Sequence, residues 1–274
     1  GNPMKNVLDT HIPGWEENPS LLENAPNLPS DALLSARKAQ KKEMVDWINS
    51  DPKCFDIQDM HDEDYFDEHT LTIGFARRFV PYKRPGLIFK DLERLRKIGY
   101  KKLQLVFAGK CHPDDMFCNK LRETISHYGS ELRGQIQVAV VPDYDLDIAK
   151  RLVTGCDVWL NNPIPPREAS GTSGMKAALN GSLNLSVLDG WWIEGFERAP
   201  QSGWGFGGST HENDFNDRDD HDANELLNHL EDTIACYYDR KEEWTERMKQ
   251  AISLVGFFNT HRMVNEYNDR IWNK

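Results

Sequence analysis

From residue 71 onward, short continuous apolar runs alternate with stretches whose apolar positions recur at helical spacing. LTIGFARRF, LQLVFAGK, IQVAVVPDY, CDVWLNN and SLNLSVLD read as strands buried on both faces, because they are apolar without strict alternation. Between them, RPGLIFKDLERLRKIG puts Pro85 at a helix start with Ile88, Leu92 and Leu95 on one face. Further helices are expected over 114–128, around 145–155, and after the glycine-rich turn in EASGTSGMK. Parallel neighbours need a crossover between them, so the pattern predicts an α/β fold, a Rossmann-like parallel sheet with crossover helices.

The flanks are less regular. Residues 1–30 are rich in Pro and Asn without a sustained period and read as an irregular lead-in. Over 31–70 the pattern gives a helix and an acidic connection. Ser30 serves as N-cap, Leu33, Leu34, Val45, Trp47 and Ile48 are apolar positions, and the helix stops before Asp51-Pro52. DIQDMHDEDYFDEHT then reads as solvated. Residues 71–274 form the Rossmann-like domain, completed by helices near 222–237, 240–254 and 260–272. HENDFNDRDDHDANE is too polar to pack, and GWGFGG reads as a turn near the sheet edge. In the last helix Met263, Val264, Tyr267 and Ile271 share a stripe, which calls for an apolar surface beneath it.

Composition narrows the partners. A net charge of -11 over 274 residues opposes general nucleic-acid binding, which needs a basic footprint, so any anion site must be local. No apolar run approaches the roughly 20 residues of a membrane span, and GNPMKNVLDTHIPGW lacks the regions of a signal peptide, so a cytoplasmic protein without membrane partners is expected. The five cysteines show no CxxC spacing and read as reduced thiols. Cys111, His112 and Cys118 lie close together but lack further ligands at metal-site spacing, and no metal is expected.

Two constellations carry candidate chemistry. FARRFVPYKRP leaves the first strand at its carboxyl end and places Arg77, Arg78, Lys83 and Arg84 within a few positions of one another. In an open α/β sheet ligands collect at that edge, and such a cluster suits phosphate; a solvated basic loop paired with carboxylates is the plainer alternative. The second is EASGTSGMK, where Ser170, Gly171, Thr172, Ser173 and Gly174 expose backbone N–H groups at a helix start and Lys176 follows in the next turn. Lys176 has three available roles: a point charge on a nucleotide, an imine partner for a phosphorylated aldehyde, or an ordinary surface residue. Ala177 after the lysine breaks the Walker pattern and weakens the first. Trp191 and Trp192 suit sugar stacking or packing equally, and His211, Asp214, Asp217 and Asp220 fit a calcium loop only loosely.

EASGTSGMKAALNGSLNLSVLDG, with GFARRFVPYKR, the AGK after the second strand and HRMVNEYNDRIW, resembles the C-terminal domain of the α-glucan (glycogen or starch) phosphorylases. The likeness runs from about Asn6 to the last helix, in order. It implies the C-terminal half of a two-domain GT-B glycosyltransferase architecture, with pyridoxal 5′-phosphate held through Lys176. By the same resemblance Thr172, Ser173 and Arg77 contact the cofactor phosphate and Tyr144 lies beside the cofactor. Arg78 and Lys83 bind the substrate phosphate, while Glu168, Ser170 and Gly171 contact glucosyl hydroxyls, so that Lys176, Arg78 and Lys83 form the catalytic set. The implied reaction is phosphorolysis of α-1,4-glucan ends by inorganic phosphate, giving glucose 1-phosphate with retained configuration. Departures exist: Ser173-Gly174 replaces a Gly-Asn pair, and Val80 and Pro81 replace a histidine and a glutamate of the animal enzymes. The N-terminal phosphorylase domain is missing, so the resemblance implies a fragment inactive by itself. A nucleotide-sugar-dependent GT-B glycosyltransferase, with the basic loop on a diphosphate, and a non-catalytic sugar- or phosphate-binding module are the alternatives.

Overall fold

The computed structural model describes residues 1–55, 61–110, 116–208 and 215–273. Its strands are β1 (Leu71–Ala76), β2 (Leu103–Ala108), β3 (Gln137–Val141), β4 (Val158–Asn161), β5 (Leu183–Val187) and β6 (Gly203–Phe206). They pair in parallel in the order β3-β2-β1-β4-β5-β6. Helices α1 (Asn2–His11) and α2 (Ser30–Ser50) precede the sheet. The crossovers are α3 (Leu92–Gly99), α4 (Met116–Glu131), α5 (Leu146–Gly155), α6 (Thr172–Leu179) and α7 (Trp191–Arg198). Then come α8 (Phe215–Asp239), α9 (Lys241–Val255) and α10 (Thr260–Tyr267). The α/β parallel sheet with crossover helices is the fold that the apolar periodicity predicts.

Every residue of β1 and β2 is buried, which is why these strands read as continuous apolar runs. Period-two alternation divides them between two cores. Leu71, Ile73 and Phe75 join one, while Ala76, Val106 and Ala108 join Trp159 and the α2 residues Met44, Val45 and Ile48 in the other. A charged clamp fixes α2 at the amino-terminal edge of the sheet. Arg37 donates to the carbonyls of Cys156 at 2.7 Å and Asn180 at 3.1 Å, and Lys41 donates to the Thr70 carbonyl at 2.6 Å. The carboxylate of Asp157 pairs with Lys41 and accepts from Thr72 N–H at 2.9 Å.

Several local expectations are corrected. Residues 1–30 are not an irregular lead-in. Met4, Leu8 and Ile12 form a one-residue-wide stripe, too narrow to register as a period, that buries α1 in the main core, and a 3-10 segment over Pro19–Asn27 buries Leu22 and Ala25. Pro29, not Ser30, is the N-cap of α2. The acidic connection is not simply solvated: Asp64 is buried, accepting from Arg133 at 2.7 and 2.9 Å and from His61 N–H at 2.8 Å, while residues 56–60 lie outside the described residues. The polar stretch before the last helices contributes the opening of α8, where Asp222 is buried against Arg84 at 2.7 Å. Within GWGFGG, Gly203–Phe206 is a strand rather than a turn, and only Gly207 and Gly208 after it take the left-handed conformation. A Cβ on Gly203 would stand 2.9 Å from the Trp192 ring, so glycine lets α7 lie against β6. Cys118 is disulfide-bonded rather than a reduced thiol, whereas Cys54, Cys156 and Cys236 are buried free thiols.

The last helix departs most. α10 passes into a π-helical turn over Asn268–Trp272, and its stripe faces outward: Tyr267 is 45%, Ile271 61% and Trp272 63% exposed. Among the described residues no helix is long and apolar enough to cross a membrane.

Candidate functional site

The strand order reverses direction between β1 and β4, and the carboxyl edge at such a switch point is the crevice where ligands collect in open α/β sheets. Both constellations read from the sequence hang on this point. The basic loop leaves β1, and the segment 162–171 leads from β4 to α6. Arg84 stitches them together: its guanidinium donates to the carbonyls of Asn162 at 3.0 Å and Pro163 at 2.8 Å, and Asn162 Nδ2 returns a bond to the Arg84 carbonyl at 2.9 Å. Ile164 N–H donates to the Tyr82 carbonyl at 2.8 Å. Arg84, buried and paired with Asp219 and Asp222 at 2.7 Å each, is therefore a structural cation and leaves the anion-binding group expected of the loop.

Arg77 and Lys83 are different. Both converge on one oxygen of Glu168, which accepts from Arg77 at 3.2 Å and from the Lys83 ammonium. All three side chains are nearly buried, at 9%, 8% and 11% exposure, which strengthens the pairing relative to a surface bridge. Burial pushes the Arg77 guanidinium down from its ordinary value, and Glu168 then pulls it back up. Tyr144, in the turn after β3, is close enough to feel the Arg77 charge; burial raises its phenol and Arg77 opposes that. Lys83 also lies over the Tyr82 ring at 4.7 Å and Arg77 over the Phe75 ring at 5.9 Å. Arg78 is exposed, and its side chain makes no hydrogen bond or ion pair among the described residues.

The glycine turn delivers α6 to the same crevice. Gly171 is its N-cap in the left-handed region at φ 83°, and no side chain caps the first-turn N–H groups. Thr172 is exposed and Ser173 half-buried, its hydroxyl accepting from Trp159 Nε1 at 3.1 Å. Lys176 is exposed in the second turn, and its side chain makes no hydrogen bond or ion pair among the described residues, while its carbonyl accepts from Asn180 Nδ2 at 2.8 Å. The structure thus brings Arg77, Lys83, Glu168 and Tyr144 into mutual contact or charge range. It places Ser170, Gly171, Thr172, Ser173 and Lys176 on the adjoining turn and helix.

The family profile described as carbohydrate phosphorylase matches residues 30–233. This chain belongs to the carbohydrate phosphorylase family. It is 38% identical to a glycogen phosphorylase of Aquifex aeolicus over 98% of the chain and 40% of that protein. It is equally 38% identical to a maltodextrin phosphorylase of Thermococcus litoralis over 100% of the chain and 34% of that protein. A glycogen phosphorylase of Mycobacterium tuberculosis is 39% identical over 74% of the chain and 24% of its own length. The chain spans at most about two fifths of the lengths of these relatives.

Within this phosphorylase chain, Asp189 is a site residue that the sequence reading passed over. Its carboxylate accepts from Glu168 N–H and Gly190 N–H, both at 2.9 Å, and so fixes the backbone that carries Glu168. Burial raises its carboxyl above the ordinary range. Asp-Gly after a strand was the available signal. Trp191 and Trp192 are packing residues, at 4% and 0% exposure, although Trp191 N–H also secures the Ser170 carbonyl at 2.8 Å. Of the metal candidates, Cys111, His112, His211 and Asp214 lie outside the described residues, as does the Asp217 side chain, and Asp220 pairs with Lys90 at 2.8 Å. A cavity of about 520 Å³ lies at the opposite edge of the sheet, lined by Lys41, Asp157, Tyr237 and Trp244. Its charges serve the α2 clamp, and it stands apart from the crevice.

Proposed function

We propose that this chain supplies the phosphate- and cofactor-binding half of an α-glucan phosphorylase. Such an enzyme transfers a terminal α-1,4-linked glucosyl unit to inorganic phosphate, releasing glucose 1-phosphate and a glucan one unit shorter, with retained configuration. The observation that carries the reading is the meeting of two anion-seeking constellations at one switch-point crevice. Arg77 and Lys83 share a carboxylate there, and an uncapped helix start bears the unpaired Lys176.

The residues fit pyridoxal 5′-phosphate. Its phosphate would take the free N–H groups of Thr172 and Ser173 and the charge of Arg77, with Tyr144 alongside and the Lys176 amine holding the aldehyde carbon. A Cβ at Gly174 would strike Asn184 Oδ1 at 2.5 Å, so the first turn of the helix is pressed onto β5 beneath the cofactor position. When bound, the cofactor supplies a phosphate that gives and takes a proton.

The chain's own residues bind and orient. Arg78 and Lys83 hold inorganic phosphate, and Glu168, Ser170 and Gly171 face the glucosyl hydroxyls. Two unit charges 4 Å apart repel by about 4 kcal/mol at an effective dielectric near 20. Arg77 and Lys83, which converge there, together with the neighbouring Arg78 would offset that repulsion and keep two phosphates in proton-transfer range. The remaining length of the relatives would supply the facing N-terminal domain and the glucan contacts, and the chain alone is expected to turn over no glucan.

Borohydride reduction in the presence of pyridoxal 5′-phosphate, followed by peptide mapping, tests the assignment. A phosphopyridoxyl group on Lys176, abolished in Lys176→Ala, is expected. A predominant adduct on another lysine, or none, would refute it and leave a nucleotide-sugar transferase or a plain binding module.

A further inference from the structure

We propose that Glu168 is the resident counter-anion of the phosphate site: its carboxylate occupies the position between Arg77 and Lys83 that an incoming oxyanion needs, so phosphate binds by displacing it. The inference rests on the reading above, in which Lys83 holds inorganic phosphate and Arg77 the cofactor phosphate, and adds the competition of Glu168 for both cations.

Glu168 Oε2 takes hydrogen bonds from both cations at once, from Arg77 at 3.2 Å and from the Lys83 ammonium. Each cation keeps further donors, but a phosphate oxygen bridging both would have to stand where Glu168 Oε2 stands, and two anionic oxygens cannot occupy that one position. Asp189, a second carboxylate within charge range of Lys83, does not compete, because both its oxygens are engaged by the N–H groups of Glu168 and Gly190. Those bonds pin the Glu168 backbone and leave its side chain as the movable part. Arg167 and Ala169 on either side are exposed, so the side chain can turn outward without opening the core.

The cations do not depend on Glu168 alone for their placement. Tyr82 lies under Lys83 and Phe75 under Arg77, and both rings stay in place when the carboxylate leaves. Displacement also changes what Glu168 can do. Released from two positive partners, its carboxylate becomes a strong acceptor for hydroxyl donors at the crevice mouth. Oxyanion occupancy therefore favours binding of a polyol beside it, and the reverse follows by linkage.

Titration of the chain with inorganic phosphate, followed by calorimetry or phosphorus NMR, tests the competition in wild type, Glu168→Gln, Glu168→Asp and Lys83→Met, each checked for native circular dichroism. Gln keeps the shape and removes the charge, whereas Asp keeps the charge but withdraws it by one methylene. Displacement predicts that both bind phosphate roughly tenfold more tightly than wild type, and that Lys83→Met binds more weakly. Unchanged or weaker binding in Glu168→Gln overturns the inference. Tighter binding in the Gln variant with wild-type affinity in the Asp variant overturns it too, since that result shows through-space charge without displacement. Were Lys83→Met to bind as wild type does, or none of the four to bind, the phosphate-site reading itself would fall and take this inference with it.

Discussion

Arg78 and Arg84 belong to one basic cluster in the sequence and to different worlds in the structure. Arg84 is 6% exposed and carries the buried Asp222, whereas Arg78 is exposed and unpaired among the described residues. Arg84→Ala strands a buried carboxylate and is expected to cost about 3–5 kcal/mol in urea unfolding. Arg78→Ala should stay within about 0.5 kcal/mol of wild type while weakening phosphate binding. Equal destabilisation by the two would contradict this division of labour. Gly174 makes a further case, since a methyl there meets Asn184 Oδ1 at 2.5 Å and Trp191 Nε1 at 2.9 Å. Gly174→Ala should lower stability by about 1–3 kcal/mol, and an unchanged urea midpoint would show that α6 is not pressed against β5 as described. The local motif made Lys176 and the glycine turn legible. The role of Arg84 was not, because its partners Asp219 and Asp222 lie far along the chain in a stretch that looks wholly solvated.

Among the elements, the buried parallel strands were plain from their apolar runs and the crossover helices from their spacing. What escaped were pieces whose burial depends on distant partners. α1 offers only Met4, Leu8 and Ile12, and Trp204 and Phe206 sit among glycines of which Gly203 and Gly205 serve packing. Asp64 is another such case, joining the connection before β1 to Arg133 between α4 and β3. The Arg133 hydrogen bonds hold its carboxyl below the ordinary carboxylate value, which is about 3.9. A depressed folded-state value means that the contribution to stability is fully present above the unfolded value and is lost as pH falls through the folded one. Between about pH 5 and about pH 2, wild type should therefore lose more stability than Asp64→Asn, which starts lower. Parallel acid-unfolding curves for the two proteins would rule the pairing out as a contributor.

At the scale of the whole molecule, charge and apolar surface are unevenly spread: an acidic chain keeps a few cations at one crevice, and α10 with its π-helical turn turns Tyr267, Ile271 and Trp272 outward. Replacing these three with serine should change stability by no more than about 0.5 kcal/mol each but reduce binding of a hydrophobic dye, and a large stability loss would mean that the face is packed. The sheet order has its own reach. β1 pairs with both β2 and β4, Arg37 of α2 grips the Asn180 carbonyl, and the Glu23 carbonyl accepts from Ser253 at 3.3 Å. During synthesis α2 thus has no complete landing surface until the second half of the sheet has left the ribosome, and the segment around Glu23 waits for α9. These long-range contacts make late, collective folding of this stretch the expected outcome, and nascent material stalled before β4 would display unburied apolar helix faces to chaperones.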